Sequence, residues 1–277
     1  MLPNLVIIGG MKCGTTSLHY YLSQHPEIYM SRDKELDFFI EEKNWHKGIE
    51  WYESQFNVQA KVIGETSPNY TCRHCFPGVP KRMNELLPDA KLIYLVRHPI
   101  KRIVAHYLHN YSEGLESRDL EETLLDSETN QYLDRSLYYH QLCDYLKYYH
   151  PNQILIMPSE ALKNDTLNTL KKIFSFLNVN TSHQTWRYQI QYHKTLRKRR
   201  KTSLGNKLTH SLIGQSLTRL LPQMRWPLER VIYFPFSHSI QYPKLSEKLK
   251  IELEQRLRQD VGKLRNYTGY SFSHWDI

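Results

Sequence analysis

Close to the start of the chain lies the segment Leu5-Val6-Ile7-Ile8-Gly9-Gly10-Met11-Lys12-Cys13-Gly14-Thr15-Thr16-Ser17. Four consecutive apolar residues followed by two glycines are typical of a buried parallel strand. From Thr15 to Leu22 the apolar spacing becomes helical, and Pro26 disfavours helix at the residue before it. The segment therefore predicts a strand, a glycine-bearing loop and a helix, in that order.

The same unit recurs along the chain. A second apolar run, Lys91–Val96, precedes a helix that we expect to begin at Pro99 and to pass through Tyr107. A third run, Gln153–Met157, precedes a helix over about Thr166–Leu177, and Lys61–Gly64 is a shorter candidate strand. Strands that alternate with helices indicate an α/β fold with a parallel sheet flanked by helices.

Past about residue 180 the sheet pattern fades. Before that point, residues 134–150 predict one aromatic-rich helix that serves core packing rather than ligand contact. After it come a basic run, Lys194–Lys201, a proline-containing stretch and a polar helix over about Lys244–Leu264. With neither a repeat nor a clear linker, we expect residues 1–277 to form one domain: an α/β core over about 3–180 and a helical C-terminal part over about 181–277.

Composition limits the class of protein but not its partner. The 277 residues are 40% hydrophobic and 23% charged, as in a soluble globular protein with an ordinary core. The net charge of +9 favours an anionic partner, and phosphate, sulfate, nucleic acid or anionic lipid would all satisfy it. The sequence contains no run of about eighteen apolar residues, so it predicts no transmembrane helix. The first residues lack the pattern of a signal peptide, which favours a cytoplasmic protein.

The four cysteines are too few for a disulfide framework, which favours a reducing compartment. Cys72 and Cys75 have the spacing of a redox pair or half a zinc site, and His74 adds a third potential ligand. No second Cys/His pair with ligand spacing follows them. We therefore expect unpaired thiols and no metal.

The loop from Gly9 to Ser17 can present backbone N–H groups to an anion at a helix N-terminus. A Walker A loop requires Gly-Lys-Ser/Thr at its end, whereas here Gly14 precedes Thr15 and the lysine stands two positions before the glycine. This departure weakens the case for a nucleoside triphosphatase. The alternative is a purely structural loop, an ordinary glycine turn with capping threonines.

Four segments, in order, resemble the PAPS-dependent sulfotransferases, including the heparan-sulfate and bacterial branches. They are Lys12-Cys13-Gly14-Thr15-Thr16-Ser17-Leu18, Lys34-Glu35-Leu36-Asp37-Phe38-Phe39, Glu65-Thr66-Ser67-Pro68-Asn69-Tyr70, and Arg97, Pro99 and Arg102 followed by Tyr107. The match covers about residues 3–180, and four ordered motifs are far more specific than any one alone. The resemblance implies a P-loop-like α/β sheet.

The resemblance also implies the activity and the roles of single residues. The co-substrate would be 3'-phosphoadenosine-5'-phosphosulfate (PAPS), and no metal is implied. Lys12 and Glu35 would be catalytic, the lysine at the leaving phosphate and the glutamate as base on the acceptor. The residues that the resemblance implies in contact with the co-substrate are Lys12, Cys13, Gly14, Thr15, Thr16, Ser17 and Arg97. Those implied in contact with the acceptor are Lys34, Ser67 and Pro68.

Two positions depart from the family pattern. The 3'-phosphate element normally carries a serine where this chain has Ala105, so one hydroxyl contact is missing unless His106 or His109 compensates. Heparan-sulfate enzymes often place a lysine where this chain has Thr66, which weakens the case for a polyanionic glycan acceptor. The basic loop that closes the co-substrate site in the family would correspond to the run containing Lys194, Arg197 and Arg199.

Two further residues belong to these motifs without a ligand contact being implied. Arg102 is expected to be a structural ion-pair residue. Ser136, in the sequence Arg135-Ser136-Leu137-Tyr138, matches a recurrent family position whose role stays open.

Three other functions remain in competition. A P-loop kinase would require a Walker A loop and an acidic magnesium ligand, and neither is evident. A nucleic-acid-binding protein could use residues 194–201, but no recognition motif supports it, so we do not expect a nucleic-acid partner. A sulfotransferase-like chain without turnover is disfavoured by Lys12 and Glu35. The acceptor (glycan, lipid or small metabolite), O- versus N-sulfation and the oligomeric state stay open.

Overall fold

The computed structural model describes residues 1–125, 130–190, 199–202 and 234–277. Five parallel strands form its central sheet, in the order β2-β3-β1-β4-β5. Their bounds are β1 Leu5–Gly9, β2 Ile28–Met30, β3 Val62–Thr66, β4 Lys91–Val96 and β5 Ile154–Pro158. Every residue of β1 is buried, which explains its unbroken apolar run. The predicted α/β fold with a parallel sheet is confirmed.

Helices flank this sheet. Their bounds are α1 Thr15–Leu22, α2 Gly48–Ser54, α3 Val79–Leu86, α4 Pro99–Glu113, α5 Leu120–Leu125, α6 Gln131–Asp134, α7 Tyr138–Tyr145, α8 Ser159–Asn164, α9 Thr166–Leu177 and α10 Glu247–Thr268. Short 3₁₀ segments occupy Trp45–Lys47, Pro68–Thr71, Pro151–Gln153, Trp186–Gln189 and Phe234–Phe236. The helices predicted at Thr15, Pro99 and Thr166 begin at those residues.

The prediction of one helix over residues 134–150 is wrong. Helix α6 ends at Asp134 and α7 begins at Tyr138. The side chain of Ser136, between them, binds the Arg102 guanidinium. The carboxylate of Asp260, from α10, accepts the N–H groups of Tyr139 (3.0 Å) and His140 (2.8 Å) and so caps the start of α7. Partners distant in sequence therefore interrupt a stretch whose own pattern is helical.

The C-terminal part packs on the α/β core. Apolar residues of α10 are buried, and its Val261 and Leu264 belong to the same core cluster as strand β1. A short antiparallel pair, β6 (Arg199–Lys201) and β7 (Ser237–Ser239), adds an element that the sequence did not predict. Among the described residues, no helix is long and apolar enough to cross a membrane.

The expectation that Cys72 and Cys75 are unpaired thiols is wrong. The structure joins them in a disulfide, with their Cα atoms 5.2 Å apart. The Phe76 N–H donates to the Cys72 carbonyl oxygen at 2.8 Å, so the segment forms one turn that brings both sulfurs together. The inference of a reducing compartment loses one of its grounds, because disulfides persist mainly in oxidising ones.

A buried carboxylate lies near the carboxyl end of β3. Glu65 is 0% exposed, and its Oε1 accepts the hydroxyls of Tyr52 (2.7 Å) and Tyr70 (2.9 Å). Its Oε2 accepts the Ser67 hydroxyl at 2.7 Å. Burial raises the pKa of Glu65 to about 7, although the three hydrogen bonds oppose that increase. Buried polar groups need such partners, because an unpaired one costs free energy.

This hydrogen-bond network fixes the segment that follows β2. The Ser67 Oγ accepts the Asp37 N–H at 3.1 Å, and the Thr66 carbonyl accepts the Glu35 N–H at 2.8 Å. Both Glu35 and Asp37 have positive φ, 65° and 47° respectively. Such angles are costly for residues with a side chain and persist only where surrounding contacts hold them. The Glu65 network is therefore the support of the loop that carries Glu35.

Replacement of Glu65 by glutamine should change how stability depends on pH. The pKa of Glu65 rises on folding from 4.5 to about 7. The stabilising contribution of the bound proton is therefore fully present below the unfolded-state pKa and is lost as the pH rises through about 7. Relative to Glu65→Gln, the wild type should lose about 3 kcal/mol of free energy of unfolding across that interval. Urea unfolding of both proteins at a series of pH values measures this difference.

The exposed Glu50→Gln on α2 serves as the matched control and should follow the wild type. If the wild-type and Glu65→Gln curves ran parallel over the whole interval, the raised pKa of Glu65 would be refuted.

Candidate active site

The carboxyl ends of β1, β3 and β4 meet at one edge of the sheet. From β1 the chain first builds β2 and β3 on one side and then β4 and β5 on the other. In open α/β sheets, a crevice forms where the strand order reverses in this way. The segments after these three strands carry most of the site residues predicted from the sequence, so the topology brings them together.

The loop between β1 and α1 passes closely over its neighbours. A Cβ atom at Gly9 would lie 2.3 Å from the Thr71 Oγ1, and one at Gly10 would lie 3.3 Å from the Leu95 carbonyl oxygen. Gly14 has open space around it, but its φ of 89° is a left-handed conformation that favours glycine. Glycine is thus required at Gly9 by space and at Gly14 by backbone conformation.

The N-terminus of α1 is open to an anion. Its N-cap residue, Gly14, has no side chain with which to cap it, and the bond from the Leu18 N–H to the Gly14 carbonyl (3.1 Å) is the first of the helix. The N–H groups of Thr15, Thr16 and Ser17 precede that bond and are the free donors that every helix start leaves. Together with the helix dipole they form a site suited to phosphate.

Cys13 contributes to this loop through its backbone. Its side chain is 1% exposed and its sulfur lies 3.7 Å from the Tyr138 hydroxyl. Burial raises the pKa of the Cys13 thiol to about 11, so the thiol stays protonated at neutral pH. The side chain packs beneath the loop and is not placed to act as a nucleophile.

Lys12 is a partly buried cation at the centre of the site. Its backbone has a φ of 65°, which turns the loop before Gly14. Burial lowers the pKa of Lys12 to about 8, and the nearby Glu35 carboxylate opposes that decrease. The charges of Lys34 and Arg97 lower the pKa further. A lysine surrounded by other cations and shielded from water is a site for an anionic ligand.

Arg97, at the end of β4, lies against the same loop. Its Nη1 donates to the Lys12 carbonyl oxygen at 3.2 Å. The Tyr138 hydroxyl accepts the Arg97 N–H (3.3 Å) and donates to the Arg97 carbonyl (2.7 Å). The structure thus brings Arg97, predicted to hold the 3'-phosphate, against the loop of Lys12, and it identifies Tyr138 as the residue that holds Arg97.

Glu35 approaches Lys12 from the segment after β2. The Lys34 Nζ lies 2.5 Å from the Glu35 Oε1, and the Glu35 side chain is 51% exposed. Burial alone would raise the pKa of Glu35, but Lys34, Lys12 and Lys43 together lower it below its usual value. Glu35 is therefore ionised at neutral pH, accessible to an acceptor and held among cations.

Ser67 and Pro68, predicted to contact the acceptor, are both buried. The Ser67 hydroxyl already has the Glu65 carboxylate and the Asp37 N–H as partners. Ser67 thus holds the Glu35 loop through Asp37. Contact of Ser67 and Pro68 with the acceptor stays a prediction. Lys34, by contrast, lies beside the exposed Glu35 carboxylate.

Arg102 is hydrogen-bonded rather than ion-paired. It is 0% exposed; its Nε donates to the Ser136 Oγ at 2.6 Å and its Nη2 donates to the Tyr132 carbonyl. Among the described residues, no carboxylate forms an ion pair with it, so that expectation is wrong. Its Nη1 is also buried, and it has no hydrogen-bond partner among the residues that the structure describes. Ser136, whose role the sequence left open, orients this arginine.

The position of the missing serine is buried. Ala105 is 1% exposed on α4, and its neighbour His106 is 2% exposed with its ring 4.6 Å from that of Tyr132. Burial, and then the charges of Arg102 and Arg135, lower the pKa of His106 well below its usual value. His106 is therefore neutral, and a charge contact from it cannot replace the serine hydroxyl.

The basic run is described only at its end. Lys194 and Arg197 lie outside the described residues. Arg199, in β6, donates through its Nε to the Ser237 Oγ at 2.8 Å. This contact ties Arg199 to β7, and whether it reaches the co-substrate stays a prediction.

A bridge across the site escaped the sequence analysis. The Arg135 Nη1 donates to the Asn69 Oδ1 (3.1 Å) and lies 3.4 Å from the Met11 sulfur. The Asn69 Nδ2 in turn donates to the Asp37 Oδ2 at 2.9 Å. Arg135 thereby links the residue before Lys12 to the loop of Glu35. The only signal in the sequence was that Asn69 and Arg135 adjoin recognised motif residues.

Comparisons with known proteins agree with this geometry. The sulfotransferase domain family model matches residues 2–220. The human bifunctional heparan sulfate N-deacetylase/N-sulfotransferase 1 is 28% identical over 290 residues, which cover 95% of this chain and 32% of that protein. The mouse bifunctional heparan sulfate N-deacetylase/N-sulfotransferase 2 is 30% identical over 198 residues, 64% of this chain and 22% of that protein. This chain thus spans about a third, or less, of the length of these relatives.

The crystal structure of a sulfotransferase from Alicyclobacillus acidocaldarius has the same fold. It superimposes with a TM-score of 0.72 over 100% of both chains, at 22% sequence identity. Since the family model covers well over half of the 277 residues, the resemblance seen in the four motifs is confirmed, and the chain belongs to the sulfotransferase domain family.

Proposed function

We propose that this chain transfers a sulfuryl group from PAPS to a hydroxyl or amine of an acceptor. The observation that carries the proposal is that a partly buried cation, Lys12, and an accessible carboxylate, Glu35, lie near enough at the end of the sheet for each charge to shift the pKa of the other. The first suits a leaving phosphate and the second suits the proton of an attacking nucleophile. Neither residue alone would distinguish transfer from simple anion binding.

The described residues fit a donor with several phosphate charges. The start of helix α1 at Gly14, the partly buried Lys12 and the Arg97 guanidinium converge on one loop. The buried and unpartnered Arg102 Nη1 is a further donor beneath this region. Lys12 and the N–H groups of Thr15–Ser17 would hold the 5'-phosphosulfate part, and Arg97 would hold the 3'-phosphate, since guanidinium binds phosphate bidentately. When bound, PAPS supplies the sulfuryl group and a phosphate leaving group.

The charges around Glu35 suggest how donor binding prepares the base. In the free protein Lys34, Lys12 and Lys43 keep its pKa low, which makes it a weak base. An anionic donor beside Lys12 offsets that positive field, so the pKa of Glu35 rises when the donor is bound. The acceptor's hydroxyl or amine then replaces Lys34 as the hydrogen-bond partner of Glu35. Proton acceptance is thereby favoured only when the donor is in place.

The acceptor itself is proposed only as a class, a hydroxyl or an amine. The relatives named above carry N-sulfotransferase in their names, which supports an amine without excluding a hydroxyl. Thr66, where heparan-sulfate enzymes often have lysine, is 0% exposed, and its hydroxyl lies 2.9 Å from the His19 Nδ1. Thr66 thus serves the interior of the site and adds no charge for a polyanionic acceptor.

We also propose that residues 1–277 act as one sulfotransferase domain. Leu264, Phe272 and Trp275 of the C-terminal part lie in the same hydrophobic core cluster as β1 and β4. His98, which follows β4 and Arg97, has its Nε2 2.7 Å from the Asp276 carboxylate. The C-terminal part therefore supports the segment from which α4 starts. A cytoplasmic location stays a prediction from the sequence.

The donor is tested by comparing two nucleotides. PAP, the product of the donor, should raise the Tm strongly, whereas ATP with magnesium should raise it weakly. A ligand at about 100 times its Kd adds about 2.7 kcal/mol to the free energy of unfolding. Lys12→Met should remove most of the PAP effect because the central cation is lost, while Lys101→Met, an exposed lysine on α4, should retain it. Equal stabilisation by ATP with magnesium would favour a phosphotransferase.

The base is tested by Glu35→Gln. Turnover of radiolabelled PAPS with an acceptor fraction from cell extract should fall by about 10²–10⁴-fold, the usual contribution of general base catalysis. The Kd for PAP should change little, because Glu35 acts on the acceptor. Asp33→Asn, an exposed residue of the same segment, is the matched control and should keep the wild-type rate. A Glu35→Gln protein with near-wild-type turnover would mean that another group accepts the proton.

A further inference from the structure

Three side chains with metal-binding atoms meet beside the candidate active site, and a fourth, Asp134, lies against one of them. Donor atoms of Cys72, His74 and Cys75 all lie within 4.8 Å of one another. The His74 Nε2 is 3.4 Å from the Cys75 sulfur and 3.9 Å from the Cys72 sulfur. The Asp134 Oδ2, from the end of α6, lies 3.6 Å from the same nitrogen. Among the described residues, this is the one group of three or more such ligands that includes cysteine.

The chemistry of this set matches one class of ion. Two thiolates, an imidazole and a carboxylate are the ligands that zinc takes in tetrahedral sites, with bonds of about 2.0–2.3 Å. Atoms bound to one such ion therefore lie about 3.3–3.8 Å apart. The distances from the His74 Nε2 to the two sulfurs and to the Asp134 Oδ2 fall close to that interval. Asp134 stands outside the set whose donor atoms all lie within 4.8 Å of one another, so its side chain must turn toward the sulfurs to complete the four ligands.

The structure shows the oxidised form, in which Cys72 and Cys75 share a disulfide. A dithiol reductant breaks the sulfur–sulfur bond by thiol–disulfide exchange, delivering two electrons and two protons, and itself becomes a disulfide. The two thiols so formed each lose a proton when they bind a metal ion. Reduction is thus the step that would turn this cluster into a complete ligand set.

We propose that the reduced form of this chain binds one zinc ion through Cys72, His74, Cys75 and Asp134. The sequence could not reveal the site, since the expected second Cys/His pair is absent and the fourth ligand comes from α6. The ion would join the turn after β3 to the end of α6. This goes beyond the proposed function and does not depend on it.

The position of the cluster gives the ion a consequence for the site. Arg135, the residue after Asp134, has its Nη2 3.7 Å from the Cys75 sulfur and its Nη1 3.1 Å from the Asn69 Oδ1. Asn69 is in turn bonded to Asp37 in the loop of Glu35. A zinc ion at Asp134 and Cys75 would hold the two elements that Arg135 bridges. The proposed zinc site would thus support one side of the candidate active site and would not lie inside it.

The experiment measures zinc on the full-length chain in both redox states. Protein reduced anaerobically with a phosphine is mixed with excess zinc sulfate, desalted, and analysed for metal by mass spectrometry; oxidised protein is treated identically. We expect about one zinc per reduced chain and close to none per oxidised chain. Cobalt in place of zinc should give a thiolate-to-metal charge-transfer band in the reduced protein only.

Variants then assign the ligands. A Cys72→Ser/Cys75→Ser protein should retain close to no zinc, whereas Cys143→Ser, which removes a free cysteine on α7, should bind it as the wild type does. Asp134→Asn should weaken binding by about tenfold or more. If reduced wild type retains no zinc, or retains it equally after Cys72 and Cys75 are replaced, the proposal is wrong. The comparison of the two redox states decides this even if a variant fails to fold.

Discussion

The site depends on an ammonium group that is held away from water without a full counterion. Lys12 sits on the loop between β1 and α1, and burial lowers its pKa to about 8 while Glu35 only partly opposes the decrease. Removing a charge from water is costly unless a partner of opposite charge is supplied. The protein supports this arrangement with its fold, and an anionic ligand relieves it. In this sense the chain is prepared for an anionic ligand before that ligand binds.

Two packed regions hold the charged groups around Lys12 in place. On one side, the buried Glu65 and its hydroxyl partners fix the segment of Glu35 at a backbone conformation that such residues rarely adopt. On the other side, Tyr138 fixes Arg97, and Ser136 fixes Arg102. The reactive groups therefore stand on short loops, but each loop is tied to the interior by buried or partly buried hydrogen bonds. Precise positioning of this kind is where much of an enzyme's rate enhancement originates.

How far the sequence predicts this structure differs from element to element. Strands β1 and β4 are continuous apolar runs, so their burial could be inferred directly. The motifs assigned Lys12 and Arg97 to one co-substrate site, and the Arg97 Nη1 donates to the Lys12 carbonyl oxygen. Strand β2 has three residues, too few for a periodic signal. The break between α6 and α7 could not be foreseen, because it is imposed by Arg102 and Asp260 from other helices.

The site residues also divide into those that the sequence predicts and those that it does not. Motif position alone suggested that Ser67 contacts the acceptor, yet its hydroxyl is consumed by partners within the fold. The bridge through Arg135 and the ligand set around Cys72 both join segments far apart in sequence, and no local pattern encodes such a contact.

The most direct test of the account is the pKa of Lys12 itself, read from the chemical shift of its side-chain carbon in protein labelled at lysine. Without ligand, we expect Lys12 to titrate near pH 8, well below the ordinary value of 10.5. Saturation with PAP should move that titration upward, because phosphate stabilises the charged form. An ordinary pKa in the free protein, unchanged by PAP, would contradict the claim that a partly buried cation prepares this site for an anionic donor.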